Sequence, residues 1–324
     1  MTTAPAWSLT DAEAVTSSID LTRTVGVPVG VPAIVLAINE ADDLARWQRA
    51  AAKLAPLPAF TIAAGGGIAD AEGDIDALVD AVLNRPHAAT VAALLGRHLP
   101  ADPVEAFHAE SLAYATLQAG PEHAAWLAMR GRRVRRDDTP RVRLDGTEPV
   151  VLTLTRPRLH NLLDRRGRDE LTDAFRTIAL LDEDLPVHWV AEGPSFCAGG
   201  DPAEFGMVAD PPTAHLVRSS ASPALALAAI RHRVHVHVHG ACVGAGIELA
   251  AQAATVTADP GTIFRLPELT MGLIPGVGGM WSIARRIGRR RLLTWLLLDR
   301  EVDAPTAKAW GLVDAIASKA SATP

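Results

Sequence analysis

Cysteine is scarce in this sequence, which has two cysteines, Cys197 and Cys242, among 324 residues. Two cysteines are too few for the disulfide framework that holds a small secreted domain together. They also form no CxxC pair of the kind that binds zinc. The fold therefore has to be held together by a hydrophobic core.

Excess positive charge and long apolar runs are also missing. The formal net charge is −6, which gives no reason to expect a nucleic-acid partner. The apolar run Ser222–Ile230 stops at Arg231, far short of a membrane span. The first twenty residues carry Asp11, Glu13 and Asp20 in place of the basic start and apolar run of a signal peptide. We therefore expect a cytoplasmic protein without a membrane partner.

Composition and length are those of a globular protein. Hydrophobic residues make up 48% of the chain and charged residues 21%, a balance that argues against intrinsic disorder. The charged segment Gly131–Asp138 interrupts the pattern, and we place a boundary there. Residues 1–138 are expected to form an N-terminal α/β extension of unknown role, and residues 139–324 a second unit. The arginines of the break suit a solvated linker, with contact to a phosphate as the alternative.

Strands and helices alternate on both sides of this break, as expected for an α/β fold in layers. Before it, the hydrophobic pattern predicts strands Ala33–Ile38 and Phe60–Ala64 and helices Asp42–Leu54, Asp74–Leu83 and Val104–Leu117. After it, the predicted strands are Pro149–Thr155, Val187–Ala191, Val234–Val238 and Thr255–Ala258. The predicted helices are Arg168–Leu181, Ser222–Arg231, Glu248–Ala253 and Gly279–Leu298. We find no motif with chemical meaning before the break.

Three segments after the break present groups that could carry chemistry. Ser195–Asp201 is a small-residue turn after a strand, where the lack of bulky side chains leaves backbone amides open. Gly240–Glu248 runs from a strand through a glycine-rich turn into a helix, whose N-terminal amides attract an anion. Phe264–Glu268 ends in a carboxylate and precedes the glycine-rich segment Met271–Gly279. Each segment alone fits a plain connection, but two amide-presenting turns are what an oxyanion hole needs.

The order of these segments resembles the crotonase superfamily, the enoyl-CoA hydratase/isomerase family. The family pattern has a turn ending in Gly-x-Asp, a glycine-rich loop leading to E-L-A, then F-x-x-P-E and G-x-x-P-x-x-G-G. This sequence supplies, in that order, Phe196–Asp201, Gly244–Ala250, Phe264–Glu268 and Gly272–Gly279. The match runs from about residue 141 to residue 314, a little over half of the chain. The resemblance implies a crotonase-like spiral of ββα units and a catalytic core in residues 139–324.

The resemblance also implies roles for individual residues. The backbone amides of Gly200 and Ala245 would form the oxyanion hole, and Glu248 and Glu268 would be the catalytic carboxylates. Residues that would bind the substrate or its coenzyme A are Cys197, Ala198, Gly199, Asp201, Gly244 and Pro267. Coenzyme A would be part of an acyl-CoA substrate, with no other cofactor and no metal. The family implies a homo-oligomer, a trimer or a dimer of trimers.

The sequence departs from the family pattern in two ways. Ala254 stands where the family usually has Asp, which we interpret as a structural difference. The chain also stops soon after Gly311–Asp314, where most members continue with a helical tail that covers the site. We therefore expect a shortened C-terminus, and an N-terminal third that packs on the core or on a neighbouring subunit.

Two clusters outside these motifs have alternative interpretations. His235, His237 and His239 alternate along a strand and therefore share one face. We expect half-buried, hydrogen-bonded imidazoles there, and a metal site is the alternative. Five arginines crowd one predicted helix, Arg285, Arg286, Arg289, Arg290 and Arg291. A solvated or subunit-facing surface is the first interpretation, and phosphate contact is the second.

Hydration of a 2-enoyl-CoA is the leading functional hypothesis, because both family carboxylates are present. Double-bond isomerisation, which needs mainly Glu268, is the alternative within the same class. Other reactions of CoA thioesters, including hydrolysis and cofactor-free oxygenation, remain open. The alternative from another class is a non-catalytic protein that binds acyl-CoA or a partner subunit.

Overall fold

The computed structural model of the chain describes residues 6–7, 35–38, 60–63, 70–131, 138–146, 148–208 and 210–317. Numbered in chain order within these residues, the strands are β1 (Ala6–Trp7), β2 (Val35–Ile38), β3 (Phe60–Ala63), β4 (Ala71–Glu72), β5 (Val142–Asp145), β6 (Val150–Leu154), β7 (Val187–Ala191), β8 (Val234–Val238), β9 (Ala241–Val243), β10 (Thr255–Ala258), β11 (Ile263–Arg265), β12 (Val302–Asp303) and β13 (Ala315–Ile316). The helices are α1 (Ile75–Asn84), α2 (Pro86–Arg97), α3 (Pro103–Gln118), α4 (Pro121–Arg130), α5 (Arg165–Ala179), α6 (Pro211–Ser220), α7 (Pro223–Ile230), α8 (Ala245–Ala250), α9 (Gly279–Ile287), α10 (Arg289–Leu298) and α11 (Ala304–Trp310).

The largest sheet has six strands in the order β13–β10–β8–β7–β6–β5, all parallel except β5. Apolar residues alternate along its central strands, so one face is buried. Leu152, Trp189 and Val236 lie side by side in register on that face, and all three are buried. The apolar stripe of α5 closes over them, and Phe175 meets Trp189 edge to face at 5.4 Å between ring centres. The predicted strands at β7, β8 and β10 are confirmed.

Two smaller sheets complete the strand pairing. β9 and β12 flank β11, parallel and antiparallel to it respectively. β8, β9 and α8 follow one another directly along the chain. The end of β9 and the start of α8 therefore lie next to each other. In the N-terminal third, β1 to β4 pair in chain order as a parallel sheet. The fold is therefore of the expected mixed α/β class.

Three helix predictions after the break are wrong in their bounds. The helix predicted over Arg168–Leu181 is α5, which starts three residues earlier. The pattern predicts one helix over Gly279–Leu298, but the structure has two, α9 and α10. Gly288 separates them with a φ of +82°, which a helix does not accommodate. The helix predicted over Glu248–Ala253 starts three residues earlier as α8, and this shift places Glu248 in its first turn.

Several helices have no counterpart in the prediction from sequence. α2, α4 and α6 each begin with a proline, a residue favoured at the first helical position because its missing N–H is not needed there. The helix predicted over Asp42–Leu54 lies outside the described residues. No described helix is long and apolar enough to cross a bilayer.

Helices of the N-terminal third pack directly on the second unit. α3 lies against α6, α7 and α9, and α4 lies against the 3-10 turn Glu268–Met271. Phe107 of α3 meets the Trp281 indole edge to face at 5.8 Å, and that indole N–H donates to the carbonyl of Ala101 at 3.0 Å. These contacts place α3 and α4 beside the segments that carry the sequence motifs.

Candidate active site

A cavity of about 610 Å³ lies where the three motif segments meet. Its size is within the range of small-molecule sites, about 300–1,000 Å³. Apolar surface dominates its walls, with polar groups at a few positions. The turn after β7, the start of α8 and the segment after β11 form one side, and residues of α3, α4 and α6 form the other.

The structure brings nearly all of the predicted site residues to this cavity. Those that line it are Ala198, Gly199, Gly200, Asp201, Gly244, Ala245, Glu248, Pro267 and Glu268. Cys197 does not line it. Its side chain is buried, with Sγ 3.9 Å from the carbonyl oxygen of Gly199, and its amide donates to the carbonyl of Ala241 at 3.1 Å. The Asp201 carboxylate lines the cavity but is paired with the Arg156 guanidinium at 3.1 Å.

The amide of Gly200 is left open by the way its turn is anchored. Gly200 forms an isolated parallel bridge with Leu163, in which Leu163 donates to the Gly199 carbonyl and accepts from the Asp201 amide, both at 2.9 Å. In a parallel bridge these flanking bonds use one edge of the chain, so the N–H of Gly200 itself points to the opposite edge. It has no acceptor among the described residues.

The amide of Ala245 is open because it belongs to the first turn of a helix. Gly244 caps α8 with a φ of +50°, and its carbonyl accepts from the Glu248 amide at 2.9 Å. The first amides of a helix have no partner within the helix. Within the described residues, that of Ala245 donates to no other group. Two unpaired amides therefore border the same cavity.

Glu248 is held by the turn that precedes α9. Its side chain is 2% exposed, and Oε2 accepts hydrogen bonds from the amides of Val277 at 2.8 Å and Gly279 at 3.2 Å. Burial raises the pKa of Glu248 to about 7, and the amide hydrogen bonds act in the opposite direction. The Ser282 hydroxyl donates to the Glu248 carbonyl at 2.7 Å, which ties α8 to α9.

Glu268 faces Glu248 from the 3-10 turn after Pro267. It is 9% exposed, and its Oε2 has no hydrogen-bond partner among the described residues. Burial raises the pKa of Glu268 well above its usual value, and the nearby Glu248 raises it further. Two close carboxylates with different surroundings are suited to act as one acid and one base.

Sequence reasoning missed the cavity residues that come from the N-terminal third. Glu110 and Tyr114 are one helical turn apart on α3; Tyr114 lines the cavity, and it is the one tyrosine of the chain. Burial raises its pKa, and the Arg218 guanidinium lies 4.5 Å from its ring centre. His123 of α4 also lines the cavity, and its Nδ1 lies 2.9 Å from the Met271 carbonyl. The sequence offers one signal on this helix, an acid, Glu110, at helical spacing between the aromatic residues Phe107 and Tyr114.

The histidine cluster has hydrogen-bonding partners of its own. Each histidine has its own hydrogen-bond partner. His235 pairs with Thr255 Oγ1 at 2.8 Å, His237 with Asp259 Oδ1 at 3.1 Å and His239 with the Gly193 carbonyl at 2.9 Å. In the part of the chain that the structure describes, no group of three or more potential ligands is arranged to hold a metal ion. All three rings are hydrogen-bonded; His235 and His237 belong to β8, and His239 follows it.

The arginines of α9 and α10 make contacts within the chain. Arg286 donates to the carbonyls of Ala251 and Ala253, both at 2.8 Å. Three others contact aromatic rings or an acid: Arg285 over the Trp281 ring, Arg291 over the Trp310 ring and Arg290 with Glu72. Four of the five arginines therefore have structural partners.

Known proteins resemble the part of the chain that carries this site. The enoyl-CoA hydratase/isomerase family model matches residues 148–323. A probable enoyl-CoA hydratase of Mycobacterium leprae is 30% identical over 175 residues, covering 53% of this chain and 67% of that protein. Its counterpart in Mycobacterium bovis is 30% identical over 171 residues, covering 51% and 64%. The chain thus spans about two thirds of the length of these relatives.

Solved structures agree with this match. Enoyl-CoA hydratase subunit I of Geobacillus kaustophilus is 25% identical, with a TM-score of 0.51 over 55% of this chain and 69% of that one. The enoyl-CoA hydratase of Thermoplasma volcanium is 24% identical, with a TM-score of 0.51 over 57% and 75%. The crotonase-like fold expected from the motifs is thereby confirmed.

Proposed function

Because the chain belongs to the enoyl-CoA hydratase/isomerase family, we propose that it is an enzyme that adds water to a 2-enoyl-CoA thioester. The observation that carries this proposal is the meeting of two buried carboxylates, Glu248 and Glu268, with two unpaired amides at one cavity. Hydration needs both kinds of group, because charge develops on the thioester oxygen while water loses a proton as it adds to the β-carbon and the α-carbon gains one.

The amides of Gly200 and Ala245 would bind the thioester carbonyl oxygen. Water adds poorly to an α,β-unsaturated thioester because negative charge accumulates on that oxygen. A preorganised amide donor aimed at such an oxygen stabilises the transition state by about 2.7–4 kcal/mol in other enzymes. The apolar cavity wall strengthens the effect, because it lowers the local dielectric constant.

The surroundings of the carboxylates support a division of roles. Two amide donors on Oε2 favour the charged form of Glu248, so we assign it as the base that takes a proton from water. The pKa of Glu268 is raised by burial and by Glu248, so we assign the protonated Glu268 as the acid that donates a proton to the α-carbon. A positioned acid or base of this kind contributes about a hundred- to ten-thousand-fold.

We also propose the cofactor requirement, location, oligomeric state and thioester contacts of the enzyme. The acid–base chemistry comes from side chains, so the proposed reaction needs no cofactor beyond the coenzyme A of its substrate. By resemblance to the family, we propose a cytoplasmic homo-oligomer, a trimer or a dimer of trimers. Glycine and alanine residues Ala198, Gly199 and Gly244, with Pro267, would contact the thioester.

Double-bond isomerisation is the second candidate, and the state of Glu268 favours it. Its Oε2 has no partner among the described residues, whereas Glu248 is held by two amides. One free carboxylate can move a proton between two carbons of the acyl chain without water. Isomerase activity would need Glu268 and tolerate the loss of Glu248.

A panel of 2-enoyl-CoA and 3-enoyl-CoA thioesters tests the proposal on the purified protein. Hydration removes the ultraviolet absorbance of the conjugated 2-enoyl thioester, and isomerisation of a 3-enoyl thioester creates it. We expect the first signal. Calorimetric binding of the thioesters without turnover would instead support a non-catalytic acyl-CoA-binding protein and contradict the proposal.

A further inference from the structure

A third buried carboxylate, Glu110, lies next to the proposed catalytic pair. It is 1% exposed and comes from α3, in the N-terminal third, where no family motif is found. Its Oε1 accepts from the Gly278 amide at 2.6 Å, and its Oε2 accepts from the Met280 amide at 2.8 Å. Both oxygens of Glu110 are therefore committed to the turn that leads into α9.

The same turn also holds Glu248. The amides of Val277 and Gly279 donate to Glu248, and those of Gly278 and Met280 donate to Glu110. Four successive amides thus alternate between two carboxylates that approach the turn from opposite sides. Each of these amides lies in its own rigid peptide plane, and neighbouring planes are joined at a shared Cα, so a displacement of the amides on one side also moves the amides on the other side.

We infer that Glu110 is a positioning residue, which fixes the turn 277–280 from the N-terminal third and so orients the Glu248 carboxylate in the cavity. Its consequence for catalysis rests on the proposed function, but its effect on the turn does not. Glu110 does not itself line the cavity, so it acts through the turn.

Several charged groups shift the pKa values of these carboxylates. Burial and the Glu248 charge raise the pKa of Glu110, and its amide bonds and Arg218 counteract the rise. Glu248, Asp299 and Glu110 raise the pKa of Glu268. The other groups that interact with this cluster are Tyr114, Cys197 and Arg265. The ionised form of Glu110 makes the smallest of these contributions, so Glu110→Gln should lower the pKa of Glu268 at the basic end of the pH range, where Glu110 is charged.

The chain offers a matched control for substitution of Glu110. Glu122 also accepts from two successive amides at the start of a helix, those of His87 at 2.7 Å and Ala88 at 3.1 Å. It caps α2 and does not line the cavity. Glu110→Gln and Glu122→Gln therefore remove the same type of contact, once at the turn that holds Glu248 and once at the start of α2.

The first test uses the amide resonances of the turn and needs no turnover. In protein labelled with ¹⁵N-glycine, the Gly278 amide reports on Glu110, and the Gly279 amide reports on Glu248. We expect Glu110→Gln to move both resonances, whereas Glu122→Gln moves neither. An unchanged Gly279 resonance in folded Glu110→Gln protein would overturn the inference. Glu110→Asp, which keeps the charge on a shorter side chain, is the second variant if Glu110→Gln does not fold, and it should also move Gly279.

The second test uses enoyl-CoA hydration. Glu110→Gln should lower kcat about ten- to a hundredfold with little change in KM, because a misplaced carboxylate affects the transition state more than substrate binding. The basic limb of its pH profile should move to lower pH, in line with the lower pKa of Glu268. Glu110→Asp should keep the position of that limb.

The outcomes of the two tests separate the claims. If Glu110→Gln matches Glu122→Gln in kcat and in pH profile, Glu110 is a structural residue only and the inference is wrong. If the wild-type protein hydrates no thioester of the panel, the proposed function fails, and the glycine resonances alone decide whether Glu110 positions Glu248.

Discussion

At Gly244 the site has no room for a side chain. The residue adopts a φ of +50°, and a Cβ there would lie 2.6 Å from Oε1 of Glu268. The backbone thus approaches the carboxylate more closely than any L-amino acid with a side chain would allow. This contact joins two motifs that are separate in sequence, the glycine-rich turn and the F-x-x-P-E segment.

We predict that Gly244→Ala lowers hydration about a hundredfold, because Glu268 must move by an ångström or so to admit the methyl group. Gly261→Ala is the control, since no atom lies within 4 Å of the Cβ position there. Steady-state kinetics of both variants, with thermal melts to show that they are folded, check the prediction. Unchanged turnover in Gly244→Ala would mean that Glu268 does not need its present position.

The dependence of activity on pH follows from the two carboxylates. Glu248 has a pKa of about 7 and must be ionised to act as the base, so kcat/KM should fall as the pH drops through about 7. Glu268 has a pKa raised well above its usual value and must be protonated, so activity should also fall at higher pH. A pH–rate profile with this bell shape is expected. A flat profile across neutral pH would contradict the role of Glu248 as base.

At the scale of single residues, motifs predict the proposed catalytic pair but not the residue that supports it. Glu248 and Glu268 are found because short segments fix their positions relative to glycine and proline. Glu110 has no such segment around it. Its role arises from contact with a turn 168 residues away in sequence, and the local pattern of α3 contains only the signal of an acid at a buried position.

Two elements present the open amides, and the sequence predicts both. A strand followed by small residues gives the turn at Gly200, and a glycine followed by a helical pattern gives the start of α8. The boundaries are less predictable, since the apolar pattern of Gly279–Leu298 continues across Gly288. The helix ends there because the backbone of Gly288 adopts a positive φ, as glycine commonly does just after the C-terminus of a helix.

We predict that Gly200→Pro abolishes turnover, since proline lacks the amide hydrogen that would bind the thioester oxygen. Gly200→Ala keeps the amide and is the matched control. Its Cβ would lie 3.3 Å from the Phe205 ring, a contact that a small ring shift relieves. Turnover of both variants is measured beside their circular dichroism. A folded and active Gly200→Pro protein would exclude this amide from the oxyanion hole.

On the scale of the whole molecule, helices α3 and α4 form part of the wall of the candidate site. Tyr114 and His123 line the cavity, and Glu110 anchors the turn that holds Glu248. The apolar faces of the N-terminal helices predict that they must pack on something. The position of that contact is set by complementarity between distant surfaces, which no local pattern encodes.

We predict that residues 139–324 alone are unstable or aggregate. Loss of α3 would expose the buried faces of α6, α7 and α9 and leave the amides of Gly278 and Met280 without their acceptor. Thermal unfolding and binding of a hydrophobic dye compare this fragment with the full chain. A soluble fragment with full activity and a cooperative melt would show that the N-terminal third is an independent module.

The central claim, that two carboxylates act together at this cavity, is tested most directly by the kinetics of Glu248→Gln and Glu268→Gln on a 2-enoyl-CoA. Each substitution keeps the side-chain shape and removes the proton-transfer group, and Glu122→Gln is the control at a carboxylate that does not line the cavity. We predict that kcat falls about a hundredfold or more in each variant, with little change in KM. Loss of activity in Glu268→Gln alone would move the assignment to isomerisation, and wild-type turnover in either variant would contradict the two-carboxylate mechanism.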